Sequence, residues 1–81
     1  MNIKYSDAVI EALETAPEAV KKAFFKQIKM LARDLRHPSL RAKKYDESRD
    51  RWQARVTKGW RFYFKISGDT YHITELTPHP K

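Results

Sequence analysis

The sequence contains no cysteine and only two glycines among its 81 residues. Without thiols there is no disulfide framework, no thiolate metal site and no cysteine nucleophile, so the fold has to be held by packing alone. Long apolar runs are absent as well: none approaches the roughly 20 residues of a membrane-spanning helix. The opening residues, Met1-Asn2-Ile3-Lys4-Tyr5-Ser6-Asp7, lack the basic and apolar regions of a signal peptide. A cytoplasmic protein with no membrane partner is the expectation. There is no repeat, no low-complexity tract and no linker. A chain of this size buries only about 60% of its unfolded surface, so residues 1–81 read as a single domain with one modest core. Chemical signatures are equally sparse: there is no Gly-rich phosphate loop, no H-E-x-x-H and no Ser/His/Asp set at recognisable spacing. The three histidines, His37, His72 and His79, are scattered and have no nearby carboxylate pattern. Neither a metal nor a cofactor is expected.

What is present is apolar and basic. Hydrophobic residues make up 41% of the chain, with two Trp, four Phe and four Tyr, enough large side chains for a globular fold. Formal net charge is +7, distributed unevenly. Residues 1–18 hold four acids and one Lys, whereas residues 19–65 hold fifteen Lys or Arg against four acids. Such asymmetry suits a polyanionic partner, either nucleic acid or an acidic protein, although a solvated basic surface has the same composition.

Periodicity supplies the elements. Residues 2–5 form a short first strand, and Ser6 is placed to cap a helix carrying Val9, Ile10 and Leu13. Thr15-Ala16-Pro17-Glu18 reads as a capping box opening a second helix. There Val20, Phe24, Ile28, Leu31 and Leu35 follow at spacings of four, four, three and four along one apolar stripe. Lys21, Lys22, Lys26, Lys29 and Arg33 lie elsewhere around that helix, as a solvated face or one for RNA or a protein partner. His37-Pro38 is expected to end it, because Pro disfavours helix in the residue before it.

From there the period changes to two. Trp52, Ala54 and Val56 alternate with Arg51, Gln53 and Arg55, and Trp60, Phe62, Phe64 and Ile66 alternate with Arg61, Tyr63 and Lys65. Thr57-Lys58-Gly59 is predicted to join the two strands as a type I turn closed by a left-handed Gly59. The resulting register sets Val56 opposite Trp60, Arg55 opposite Arg61, Gln53 opposite Tyr63 and Arg51 opposite Lys65. A turn at Gly68-Asp69 returns Thr70–Leu76, with His72 and Thr74 beside Lys65 and Tyr63. The predicted class is α+β in the order β-α-α-β-β-β, an antiparallel sheet with two helices on one face.

Like charges directly across a sheet cost up to about 1 kcal/mol per pair, and this hairpin carries two such pairs. An anionic ligand would relieve them, and Arg55 and Arg61 interleaved with Gln53, Tyr63 and His72 suit phosphate oxygens and stacked bases. A solvated face covered by Asp46, Glu47 or Asp50 is the alternative. RNA supplies its own nucleophile, the 2′-hydroxyl, so metal-free cleavage needs only proton transfer and cations that stabilise a charged phosphorane. For proton transfer the histidines are the candidates near neutral pH. His37 sits at a helix end, where capping is its natural task; His72 lies in a strand, to pack or to bind. His79, between Pro78 and Pro80, has no structural task, which leaves function or a plain tail.

The run Trp52-Gln53-Ala54-Arg55-Val56-Thr57-Lys58-Gly59-Trp60-Arg61-Phe62-Tyr63-Phe64, followed by a hairpin and ending Leu76-Thr77-Pro78-His79, resembles the second half of the RelE/ParE superfamily of toxins. The preceding basic helix and the His37-Pro38-Ser39-Leu40 break fit the same pattern. Within the superfamily the resemblance is to ribosome-dependent messenger RNA endonucleases of the YoeB and RelE kind. It implies that Arg61 holds the scissile phosphate, that Arg55 is the assisting cation on the preceding strand, and that His79 transfers a proton. Two positions depart from the pattern: Pro80 stands where an aromatic residue is usual, and Gln53 where a second Lys or Arg is usual. No carboxylate maps onto the general base of the YoeB branch; Asp46 and Glu47 lie nearby.

The resemblance thus implies the toxin of a type II toxin–antitoxin system, a metal-independent endoribonuclease with mRNA and the ribosome as targets and a cognate antitoxin as partner. An acidic, partly disordered antitoxin would suit the basic surface or an unpaired strand edge. The RNA-binding surface is expected to comprise Lys43, Lys44, Arg51, Gln53, Lys58, Tyr63, Lys65 and His72, around catalytic Arg55, Arg61 and His79. Two other functions fit the same residues: a ParE-like inhibitor that stops DNA gyrase by binding alone, and a basic RNA-binding module without toxicity.

Overall fold

The computed structural model describes residues 2–79. Strand β1 (Asn2–Tyr5) leads through Ser6 into α1 (Asp7–Thr15), and Ser6 Oγ accepts from the Val9 amide, the predicted cap. Helix α2 (Glu18–Arg33) follows, then β2 (Lys43–Asp46), β3 (Arg51–Thr57), β4 (Trp60–Ser67) and β5 (Thr70–Pro78). Single 3-10 turns at Pro38–Leu40 and Glu47–Arg49 flank β2. The sheet order is β1-β5-β4-β3-β2, and α1 packs on β5 while α2 packs on β3. The α+β class with two helices on a sheet is therefore observed. Phe24 of α2 meets Phe62 of β4 edge-on at 5.7 Å, and Val9, Leu31, Leu40, Phe64 and Ile73 complete the fully buried centre.

The sheet departs from the expected order in two ways. It has five strands, because Lys43–Asp46 pairs with the free edge of β3. Lys-Lys-Tyr-Asp has no apolar alternation, so its periodicity gives no sign of a strand; backbone pairing alone makes it one. And β1 runs parallel to β5, with Asn2 beside Thr70 and Tyr5 beside Ile73. These two strands are joined by no hairpin, so nothing imposes the antiparallel sense.

The helix boundaries also move. Thr15 is the last residue of α1, its hydroxyl donating to the Ala12 carbonyl, and Pro17 takes the N-cap position of α2 without a side-chain hydrogen bond. The capping box fails because Ala16, preceding a proline, is held extended at ψ 148° and cannot enter the helix. At its far end α2 stops at Arg33, before Pro38 is reached: Asp34 Oδ1 accepts from the Arg36 amide and turns the chain locally. Leu35 lies beyond the helix yet still packs against the core.

In the hairpin, Arg55 faces Arg61 and Gln53 faces Tyr63 as predicted. The loop is shorter than expected, Lys58-Gly59 only, and Thr57 rather than Val56 pairs with Trp60 because a bulge absorbs Val56. Gly59 is not left-handed; its amide donates to Thr57 Oγ1, and the glycine at positive φ is Gly68, at 57°. Arg51 pairs with Asp46 of β2, and the β3–β4 ladder ends at Trp52 opposite Phe64, so no Arg51–Lys65 pair forms. On the other side Lys65 faces His72 as expected, but a second bulge places Glu75, not Thr74, opposite Tyr63.

Candidate functional site

The tight β3–β4 hairpin puts Arg55 and Arg61 side by side on the sheet face turned away from the core. β2 adds Lys43 opposite Gln53. The end of β5 brings in His79, whose amide donates to the Gly59 carbonyl at 2.7 Å, so the bend itself tethers this histidine. Arg41 arrives from the 3-10 turn at Pro38–Leu40, in a left-handed conformation with φ 47°. Arg41, Lys43, Gln53, Arg55, Arg61 and His79 together line a cleft of about 230 Å³. Among the described residues no carboxylate lines it.

Arg61 is half-buried and held firmly. Its Nη1 donates to the carbonyls of Thr57 at 2.6 Å, Trp60 at 2.9 Å and Lys58 at 3.3 Å. One guanidinium nitrogen thus grips the bend while Nε and Nη2 make no hydrogen bond among the described residues, leaving two donor positions for a ligand. Desolvation, and then repulsion from Arg55 and Arg41, holds the Arg61 guanidinium below its usual range. An anion in the cleft would offset that repulsion and favour the charged guanidinium.

The remaining predicted residues divide sharply. Gln53 lines the cleft but is buried, its Nε2 donating to Tyr63 Oη at 3.0 Å. Tyr63, expected to stack a base, is itself only 8% exposed. The Arg51 guanidinium covers its ring at 4.5 Å and Tyr45 meets it edge-on at 5.3 Å. Arg51 is in turn paired with Glu75 at 2.8 Å, with its Nε buried and unpartnered. Lys44 bonds Asp50 at 2.6 Å and lies 5.4 Å from the Trp52 ring. Lys58 is exposed on the bend, and Lys65 and His72 face each other toward the opposite end of the strands; none of these lines the cleft. Of the acids suspected of covering the face, Asp46 is engaged with Ser48 and Arg49 and Asp50 with Lys44; the carboxylate that does cross it is Glu75. His37 caps the 3-10 turn, its Nδ1 accepting from the Ser39 amide.

Sequence reasoning missed Arg41 and Tyr45. Arg41 sits in an irregular segment where periodicity says nothing, and Tyr45, 57% exposed, is the open aromatic on the face where Tyr63 was expected. Pro80 lies outside the described residues.

No protein-family profile matches the chain, and no curated protein matches its sequence. Solved structures do. The YoeB/ParE toxin from Agrobacterium tumefaciens superposes with a TM-score of 0.83 at 14% identity, covering 99% of this chain and 100% of that one. The chain has the RelE-like toxin fold. RelE in the archaeal RelE–RelB complex from Pyrococcus horikoshii matches at TM-score 0.80 and 20% identity, over 95% of this chain and 92% of that one. YoeB of the Staphylococcus aureus YoeB dimer matches at 0.81 and 14%, over 99% and 98%. On this RelE-like scaffold the cleft lies where the bend of the central hairpin meets the end of β5. Among the described residues no group of three or more His, Asp or Glu side chains converges to hold a metal ion, and no helix is long and apolar enough to cross a membrane.

Proposed function

We propose that this protein is the toxin of a type II toxin–antitoxin pair and acts as an endoribonuclease on messenger RNA at the ribosome, in the cytoplasm. The observation that carries the reading is the meeting of Arg55, Arg61 and His79 with Arg41 and Lys43 in one cleft that no acid lines among the described residues.

In the reaction the 2′-hydroxyl oxygen bonds to the adjacent phosphorus, the bond to the 5′-oxygen breaks, and a 2′,3′-cyclic phosphate remains. One proton leaves the 2′-hydroxyl and one reaches the departing 5′-oxygen. His79 supplies the one imidazole among the cleft's described lining, a group able both to take and to give a proton, and it carries one of these transfers. The phosphorane gains negative charge that the substrate lacks. The free donors of Arg61, with Arg55 beside it, meet that charge with geometry fixed beforehand by the bend. Gln53, already bonded to Tyr63, shapes the wall and adds no charge. The RelE-like fold supports a protein partner as well: the P. horikoshii relative was solved with RelB, and an antitoxin is proposed here by the same logic.

The test is transcript cleavage on purified ribosomes together with growth arrest on induction. Arg61→Ala is expected to lower cleavage by about 10²- to 10³-fold, the usual loss of a preorganised charge-stabilising donor. His79→Gln is expected to lower it as well, through loss of the imidazole that moves a proton. Undiminished cleavage and arrest in both variants would rule the reading out.

A further inference from the structure

A second cleft, of about 460 Å³, opens on the other side of Arg41 and Arg55. Its polar lining is Lys26 and Gln27 from α2, Ser39 and Arg41 from the turn at Pro38–Leu40 and the residue after it, and Arg55 from β3. Arg41 and Arg55 belong to both clefts, so the two adjoin across this pair. We propose that the second cleft is a subsite for the neighbouring nucleotide of a single-stranded RNA, with Lys26 and Arg41 holding its phosphate while Arg55 and Arg61 hold the scissile one. The proposal deepens the nuclease reading and rests on it for the word scissile; the binding claim stands on its own observations.

No carboxylate lines the second cleft, and none of Lys26, Arg41 and Arg55 enters an ion pair among the described residues. Three cations converge with no internal counter-charge, whereas Lys44 and Arg51 on the same protein are each paired with an acid. The neutral groups of the wall are satisfied from within. Gln27 is buried; its Nε2 donates to the carbonyls of Ser39 at 3.0 Å and Arg55 at 2.9 Å, and its Oε1 accepts from Ser39 Oγ at 3.3 Å. That amide has little capacity left to read a base edge. It ties α2, the turn and β3 into a fixed floor beneath the cations. Recognition of this kind selects backbone phosphate rather than sequence. The cleft is also twice as roomy as the first, which suits a sugar and base carried past a held phosphate.

The experiment uses the full chain and 2′-O-methyl RNA oligonucleotides, which cannot be cleaved, of two to five nucleotides, with binding read by fluorescence anisotropy over a salt series. In the unaltered protein affinity is expected to rise as the oligonucleotide becomes long enough to reach the second cleft. Lys26→Ala is expected to abolish that step and to make the log–log salt slope shallower by about 0.7, the value of one single-strand phosphate contact. Lys22→Ala, exposed on the same helix but outside both clefts, serves as the control and is expected to bind like the unaltered chain. Equal binding and slope in Lys26→Ala and the control would overturn the proposal. So would competition by polyglutamate as strong as that by RNA of equal charge, which would assign the cleft to an acidic peptide. If Lys26→Ala shows its defect while Arg61→Ala still cleaves normally, the phosphate track survives and the nuclease reading falls. If the reverse holds, only the track falls.

Discussion

Arg61 meets two demands with one side chain: Nη1 closes the bend on three carbonyls, and the rest of the guanidinium is presented to the cleft. A lysine would supply a point charge without the planar fork that allows both. Gln27 is the hidden counterpart. Nothing marks a glutamine within a basic helix as special, yet it joins three elements and fixes the carbonyl of Arg55. Gln27→Ala takes this donor from the Ser39 and Arg55 carbonyls, at about 1–3 kcal/mol if both stay unpaired, while the Ser39 hydroxyl keeps its contact with His37 Nδ1. Thermal unfolding is expected to show that loss as a lower Tm. A Tm equal to that of the unaltered chain would mean that water replaces the amide without penalty.

Among the elements, the β3–β4 hairpin was the most legible. Strict alternation fixed which side chains share a face, and a short Gly-containing turn fixed Arg55 opposite Arg61. What alternation misses is what breaks it. Bulges at Val56 and Thr74 shift the strand partners, and β2, which is polar throughout, exists only as a backbone partner for β3. The site was legible to the same degree: Arg55 and Arg61 were placed by the strand pattern and His79 by the resemblance alone, whereas Arg41 comes from a turn whose conformation no spacing encodes. The link from β2 to β3 depends on Asp46, whose carboxyl lies below the usual carboxylate range, chiefly because the Ser48 hydroxyl donates to it. A carboxyl depressed in the folded state stabilises above its unfolded pKa and loses that contribution as pH falls through the folded value. Asp46→Asn is therefore expected to lower Tm at neutral pH and to narrow its gap from the unaltered protein as the solution is acidified below the usual carboxylate range. A gap that stays constant down to pH 2 would show that the bend does not depend on this charge.

For the molecule as a whole, the uneven charge has a spatial meaning. The acids of the first eighteen residues fall on α1 and the start of α2, and Arg41, Lys43, Arg55 and Arg61 gather at the hairpin bend. Binding of single-stranded RNA is expected to weaken with salt along a log–log slope of about −2 to −3, as three or four phosphate contacts require. Lys43→Ala should make the slope shallower by about 0.7, and a slope near zero would show that these cations are not neutralising phosphates. Sheet order adds a temporal constraint. β5, fifth in the chain, lies between β1 and β4, and β1 has no other neighbour. The first strand therefore waits, unpaired, until residues 70–78 have been translated and have cleared the exit tunnel. During that wait the nascent polypeptide has neither a closed sheet nor the tether that seats His79, so the cleft is assembled only when residues 70–79 arrive.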